Sequence, residues 1–536
     1  MKLSITKKVD RLFSEWDKKN SPGCALAVVR DGKIIYKRGY GAANLEHGIP
    51  ISPATVFDIG STSKQFVAAS VALLARDGKL SLDDNIRKYL PEMPEYKYAV
   101  TIRHLLHHTS GIRDYLTLMA LAGLRYENEY PDEEIIGLIA QQKDLNFPPG
   151  EEFLYCNSGY LLLAEIVKRV SGSSMRAFAE KRIFSPLGMK ATHFNDDFST
   201  IVKNRATGYA ADNGGFKISM SIFDVVGDGA VHTTVEDLFR WDQNFYNNSL
   251  GGYGQGFIEE ITAPGSLNNG EKLGYAFGLF TAPYRGLRMV CHGGAWMGYR
   301  AEMLRLPQHK FSVICLSNLS AMNPTTLAKD VADIYLAGLF PEQKDRSTPE
   351  GALSSSFHKA DLKGKSGLYF SAQTAGIIEF TEKENRLILE ISGTMYKLAP
   401  GNRSRFTCSG NRLYAEFKSP PLSACNEVLI CPERGRPAVY RQLPPVHVNS
   451  KMLREYAGEY YCAELETSYR IAEEGGKLAL GRKNCPKEIL TLAARDLLKG
   501  AWMSLAFTRG RKKEVSGFAL GAGRVKNIIF LKSGGQ

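Results

Sequence analysis

The chain has 536 residues, 44% of them apolar, and a formal net charge of +12. That length and composition exclude a disordered or fibrous protein and allow two or three domains with cores of their own. The charge is unevenly placed, because residues 341–536 hold 31 Lys and Arg against 20 Asp and Glu and so carry nearly all of the excess.

At the N-terminus, Val9, Leu12, Phe13 and Trp16 recur at helical spacing among charges. No apolar run there is long enough for a secretory signal or a membrane span, so the sequence as written predicts a cytoplasmic protein without a span. GCALAVVRDGKIIYKRGYG, from Gly23, predicts two strands joined at an Asp31-Gly32 hairpin turn. Helices are predicted over 64–77, with Gly78 as the stop, and over 157–170, with Gly172 after it. Strand patterns return at 274–280, 287–292, 299–306 and 311–317, and a last helix is expected over 324–339. Strands at both ends of a helical middle predict one antiparallel sheet closed by its termini, with a helical lobe beside it.

The stretch PEQKDRSTPEGALSSS, from Pro341, reads as a linker rich in Pro, Ser and charge. Beyond it an internal repeat appears: Leu362, Gly367 and Tyr369 recur 91 positions on as Leu453, Gly458 and Tyr460, Phe380 returns as Ile471, and Leu387 and Leu389 as Leu478 and Leu480. The expected division is a domain of mixed strands and helices over 1–340, a linker over 341–361, and two antiparallel β-barrels over 362–445 and 452–536. The basic run Arg509, Arg511, Lys512 and Lys513 lacks interleaved aromatics and is followed by Glu514, so it is read as a solvated hairpin end and no nucleic-acid partner is expected. Nine scattered cysteines, odd in number and without a CxxC pair, favour reduced thiols over a disulfide framework or a zinc site.

FDIGSTSKQF, from Phe57, sets Ser61 three residues before Lys64 where an apolar helix begins. This spacing suits a helix cap, but it also puts a hydroxyl and an amine one turn apart on one face, at a helix start whose free N–H groups stabilise a developing oxyanion. An amine in a dry site can take the hydroxyl proton and make the Ser a nucleophile. FLYCNSGY places Tyr155 and Asn157 before the second helix, and CHGGAWMGY places His292, Gly293, Gly294 and Ala295 at a strand end. Each has a structural alternative: Asn157 as a cap, Tyr155 as core, His-Gly-Gly as a turn.

In order and spacing, Ser61-x-x-Lys64, Tyr155-x-Asn157 and His292-x-Gly294, with HLLHHTSGI from His104 and GDGAVHTTVEDLFRW from Gly227, resemble the serine β-lactamase and penicillin-binding-protein superfamily. Within it the chain is most similar to the class C-related branch of D-aminopeptidases, esterases and alkaline D-peptidases. The resemblance implies an α+β fold, with the two barrels matching the layout of D-aminopeptidases. It implies a serine hydrolase working through an acyl-enzyme on small amides or short peptides, of D-aminopeptidase or D-amino-acid amidase type. A carboxylesterase, a weak β-lactamase or DD-peptidase, and a non-catalytic penicillin-binding receptor remain the alternatives. Carried over, Ser61 is the nucleophile, Lys64 its base and Tyr155 the proton relay. Asn157, His292, Gly294 and Ala295 bind substrate, with the N–H groups of Ser61 and Ala295 as oxyanion hole.

No metal or organic cofactor is implied, and His104, His107 and His108 are expected to be structural or cleft-lining. His292 stands where penicillin-binding proteins and true β-lactamases usually have Lys. Its ordinary pKa leaves it mostly uncharged at neutral pH, so that position is expected to pull weakly on a carboxylate and β-lactams to be poor substrates. The branch also implies a tail loop entering the cleft. The candidates are ALGRKNCPK, from Ala479, and CAELETS, from Cys462, whose Glu464 and Glu466 could meet a substrate amine. The alternative for the tail is a stabilising or dimer-forming appendage, so a homodimer stays open.

Overall fold

The structure is a computed structural model and describes residues 4–340, 362, 364–400, 404–408, 413–418, 427–432 and 437–533. The expected linker at 341–361 lies outside the described residues.

Six antiparallel strands form the central sheet: β1 (Cys24–Arg30), β2 (Lys33–Tyr40), β3 (Phe280–Tyr284), β4 (Leu287–Trp296), β5 (Tyr299–Leu306) and β6 (Phe311–Ser317). They lie in the order β3-β4-β5-β6-β1-β2, so the N-terminal hairpin docks on the last strand of the domain. The run CALAVV is apolar throughout because β1 is covered on both faces. Its Cys24, Leu26 and Val28 join a core with α1 (Ile5–Leu12) and α4 (Pro324–Tyr335), while Ala25, Ala27 and Val29 face the core of the helical lobe.

That lobe is built around α2 (Lys64–Arg76) and α3 (Asn157–Ser171). Gly78 and Gly172 take the left-handed conformation just past their ends, with φ of +70° and +68°, as the stop signals predict. Residues 274–280 do not form the expected strand. A tight turn at Phe277-Gly278, closed by the bond from Ala276 N–H to Leu279 O, interrupts the run, and the strand begins only at Phe280. Gly278, at φ +67°, lies so close to the start of α2 that a Cβ there would sit 2.6 Å from the Lys64 carbonyl carbon. The last helix also ends at Tyr335, short of the expected 339.

Two closed eight-stranded antiparallel barrels follow, with strands spanning 367–442 and 458–532. The sequence repeat reappears as shared register: Gly367 pairs with Phe380 and Phe380 with Leu389, just as Gly458 pairs with Ile471 and Ile471 with Leu480. The first barrel has its own core around Tyr369, Phe380 and Leu389. The core of the second, with Tyr460, Tyr469 and Phe530, is continuous with the helical lobe. The basic run is a hairpin end as read, with Arg509 paired to Asp496 and Glu455. All described cysteines are unbridged. Among the described residues no helix is long and apolar enough to cross a membrane.

Candidate active site

A single turn of 3₁₀ helix, Gly60–Ser63, feeds into α2 and turns Ser61 toward a cleft of about 1300 Å³. Lys64 is fully buried one turn later. Its Nζ donates to Ser61 Oγ at 3.0 Å, to Asn157 Oδ1 at 3.0 Å and to the main-chain oxygen of Asp228 at 2.6 Å. The structure therefore brings Ser61, Lys64 and Asn157 into one hydrogen-bonded unit. Asp228, in the glycine-rich turn after Gly227, is a member the motif comparison missed.

Asn157 is not the cap of its helix. Cys156 occupies that position without a side-chain bond, and the Asp114 carboxylate, from another segment, accepts the Asn157 N–H at 2.7 Å. The Asn157 amide is thereby left to face Lys64. Asp114 stands two residues after HTSGI, and its place there is the one signal that could have flagged it.

Tyr155 lies against the same amine, with Lys64 Nζ 5.0 Å from its ring centroid. Its ring packs on His108 at 4.3 Å, and among the described residues its hydroxyl has no hydrogen-bond partner. No bond joins Tyr155 to Ser61 or Lys64, so Tyr155 is adjacent to the unit without being wired into it. Burial and the nearby Lys64 push the His108 pKa well below the ordinary value. The neutral ring accepts the Cys156 N–H at 3.1 Å through Nδ1. His107 is pushed down to about 4 by burial, and the side chain of His104 closes a capping box. Among the described residues no group of His, Cys, Asp or Glu is arranged to hold a metal ion.

The other wall is β4. His292 lies mid-strand, not at a strand end, and β4 continues through Gly293, Gly294 and Ala295 past the nucleophile. A Cβ on Gly294 would come within 1.8 Å of Ile59 O, and one on Gly60, at φ +47°, within 2.8 Å of Ala295 N. The two glycines thus let the strand press on the turn that carries Ser61, setting the Ala295 N–H beside it. Thr62 Oγ1 fastens this contact by donating to His292 O at 3.2 Å. The His292 ring is buried, with Nδ1 donating to Gly293 O at 2.7 Å and Nε2 at 3.2 Å from the Tyr275 hydroxyl.

Beneath the turn, Asp58 accepts the Gly60 N–H at 2.7 Å. Burial, reinforced by Asp228, raises its pKa to about 6. Burial also raises that of Asp228, whose carboxylate accepts from the Tyr115 hydroxyl at 2.9 Å.

The tail does reach the cleft, but through neither expected loop. Glu464 is buried against Arg113, and Glu466 accepts from Gln141. Lys483, of the other candidate, packs on Gly123 outside the cleft. The turn between the strands Val515–Ala522 and Val525–Lys532 puts Gly523 and Arg524 in the cleft wall, with Lys526 from the second of these strands, and Gln373, Thr374, Pro432 and Ala438 of the first barrel line it too. Nothing in the local sequence of that turn marks it.

Comparison with known proteins bears on this geometry. The Beta-lactamase family profile matches residues 9–336. The chain belongs to the Beta-lactamase family. It is a serine hydrolase, and the matched span contains the Ser61-Lys64 turn, the Tyr155-Asn157 helix start and β4. Among Beta-lactamase relatives, a penicillin-binding protein of Bacillus subtilis (strain 168) is 30% identical over 435 residues, covering 78% of this chain and 94% of the relative. A D-aminopeptidase of Brucella anthropi is 25% identical over 526 residues and covers 95% of each chain, so that similarity runs through both barrels. The octameric penicillin-binding protein homologue from Pyrococcus abyssi has a TM-score of 0.57 at 26% identity, covering 81% of this chain and 100% of its own. A D-amino acid amidase from Ochrobactrum anthropi SV3, with a TM-score of 0.53 at 20% identity over 62% of this chain and 99% of its own, shares the fold.

Proposed function

We propose that Ser61 is the nucleophile of an acyl-transfer site that hydrolyses small amides and short peptides of D-amino acids. The observation that carries this is the triple coordination of Lys64. As it stands, Nζ donates to all three oxygens; once the amine gives up one proton, Asn157 Oδ1 and the Asp228 carbonyl hold its two remaining N–H groups, and the lone pair is left for the Ser61 hydroxyl. Lys64 takes the Ser61 proton as Oγ attacks the substrate carbonyl. The N–H groups of Ser61 and Ala295 receive the developing oxyanion. Tyr155, against Lys64 with its hydroxyl unengaged, passes the proton to the departing amine nitrogen, and the C–N bond breaks. Water then attacks the Ser61 ester, returning the proton to the site and the acid to solution. Asn157, already bonded to Lys64, has an amide N–H₂ to offer a substrate carbonyl, and His292 and Gly294 line the opposite wall.

The D-amino-acid assignment comes from the relatives named D-aminopeptidase, one of which matches the chain along nearly its whole length. The working division is a catalytic domain over 1–340 with barrels over 362–445 and 452–536. The test is parallel hydrolysis of D- and L-amino-acid anilides and short-chain esters by the wild type and Ser61→Ala. D-anilide turnover with a burst, lost in Ser61→Ala, is expected. Equal rates in both proteins would overturn the nucleophile, and preferential turnover of esters would make the enzyme an esterase.

A further inference from the structure

The charge exposed in the cleft is positive. Its acids are withdrawn: Asp58 and Asp228 are buried on its floor, and Glu152 is held by Lys526 at 3.1 Å. Of the three arginines in the wall, Arg205, Arg300 and Arg524, the last two keep unused donors beside Ala295 and Tyr155. Arg300, half-buried on β5 opposite Ala295, donates to the main-chain oxygens of Met297 and Tyr299 and to no carboxylate among the described residues. Arg524 lies with its guanidinium carbon 5.0 Å from the centroid of the Tyr155 ring, and its side chain is 40% exposed. One of its five N–H groups meets Asp114 at 3.2 Å. That carboxylate, 1% exposed, is already occupied by the N–H of Asn157 and by Thr117. The position of Arg524 is fixed from behind, since its main-chain oxygen accepts from Asn146 at 2.9 Å and Lys526 N–H donates to the same side chain at 2.7 Å.

We propose that Arg524, carried into the cleft by the last barrel, binds a carboxylate on the substrate, so that the enzyme prefers short peptides with an acidic end to uncharged amides or esters. This rests on the acyl-enzyme reading and adds the substrate's charge to it. A planar guanidinium held against an aromatic face, with spare N–H groups toward the cleft, matches a carboxylate better than a substrate amine, which it would repel. His292 gives up a fixed cation on β4, and Arg524 restores one at a different point of the cleft.

The experiment is protection of Ser61 from a fluorophosphonate label in the full-length protein, comparing N-acetyl-D-alanine with N-acetyl-D-alanine amide. The acid is expected to protect at about tenfold lower concentration, as one charge-assisted hydrogen bond allows. R524Q should narrow the ratio to about one, and R524K should keep part of it. Added salt should weaken protection of the wild type by the acid but not by the amide, a readout that needs no variant. Equal protection by the two ligands, or an unchanged ratio in R524Q, would overturn the proposal. Absence of labelling would instead sink the acyl-enzyme reading, and calorimetric titration of the same two ligands would still decide between acid and amide.

Discussion

Arg113 of the catalytic domain and Glu464 of the last barrel form a buried ion pair across 351 positions of the chain. Arg113 also donates to Gln142 and to the main-chain oxygens of Lys526 and Asn527, so one fully buried side chain ties the helical lobe to the strand behind Arg524. The barrel is therefore part of the structure that shapes the cleft.

Replacing Arg113 with Ala leaves the Glu464 carboxylate in a buried site without its cation. Breaking such a pair from one side costs about 3–5 kcal/mol. Urea denaturation should register this loss, and limited proteolysis should cut between catalytic domain and barrel sooner. Adding Glu464→Gln to the Arg113→Ala variant should recover part of the loss, because the stranded charge is then removed.

Lys64→Ala removes the group that joins Ser61, Asn157 and Asp228. Turnover and the rate of Ser61 labelling should both fall by about three to four orders of magnitude. Circular dichroism would show whether the fold is kept. Activity near that of the wild type would show that another group takes the Ser61 proton.

Gly294→Ala sets a methyl group against Ile59 O and forces β4 away from the turn that carries Ser61. The Ala295 N–H then leaves the site. A fall in kcat of about 10²- to 10³-fold is expected, the usual cost of losing one oxyanion donor. Unchanged kcat would mean that β4 supplies no such donor.

Asp58 makes stability depend on pH. Its pKa is raised to about 6 in the folded protein from 3.8, so the folded state favours the protonated form. The stability this group contributes is full below the unfolded value and is lost as pH rises toward 6, an effect of about 3 kcal/mol. Asp58→Asn can keep the Gly60 bond through its amide oxygen and has nothing to ionise. The variant should therefore gain on the wild type between pH 4 and pH 7 in urea midpoint, even with Asp228, Arg205 and His232 nearby. A constant difference across that range would show that Asp58 titrates normally.

Local pattern was enough to read the pieces of this protein. The apolar run of β1, the helix stops at Gly78 and Gly172 and the spacing of Ser61 and Lys64 depend on residues near one another in the chain, and the two barrels of matched register are one such pattern met twice, 91 positions apart. Their physical causes, side-chain periodicity and the freedom of glycine at positive φ, act over a few residues. Where a short apolar run such as 274–280 fits a strand and a turn equally well, packing against the start of α2 settled it.

The relations between pieces were decided by tertiary structure. Asp114 caps the helix of Asn157, Asp228 completes the shell of Lys64, and Arg524 crosses from the last barrel to lie on Tyr155. The acidic residues that looked fit to meet a substrate amine are used up in the domain interface, and the cleft receives arginines instead. Charge in a site depends on which groups are buried against partners and which are left facing the substrate, and that is set by contacts hundreds of residues apart that no local pattern encodes.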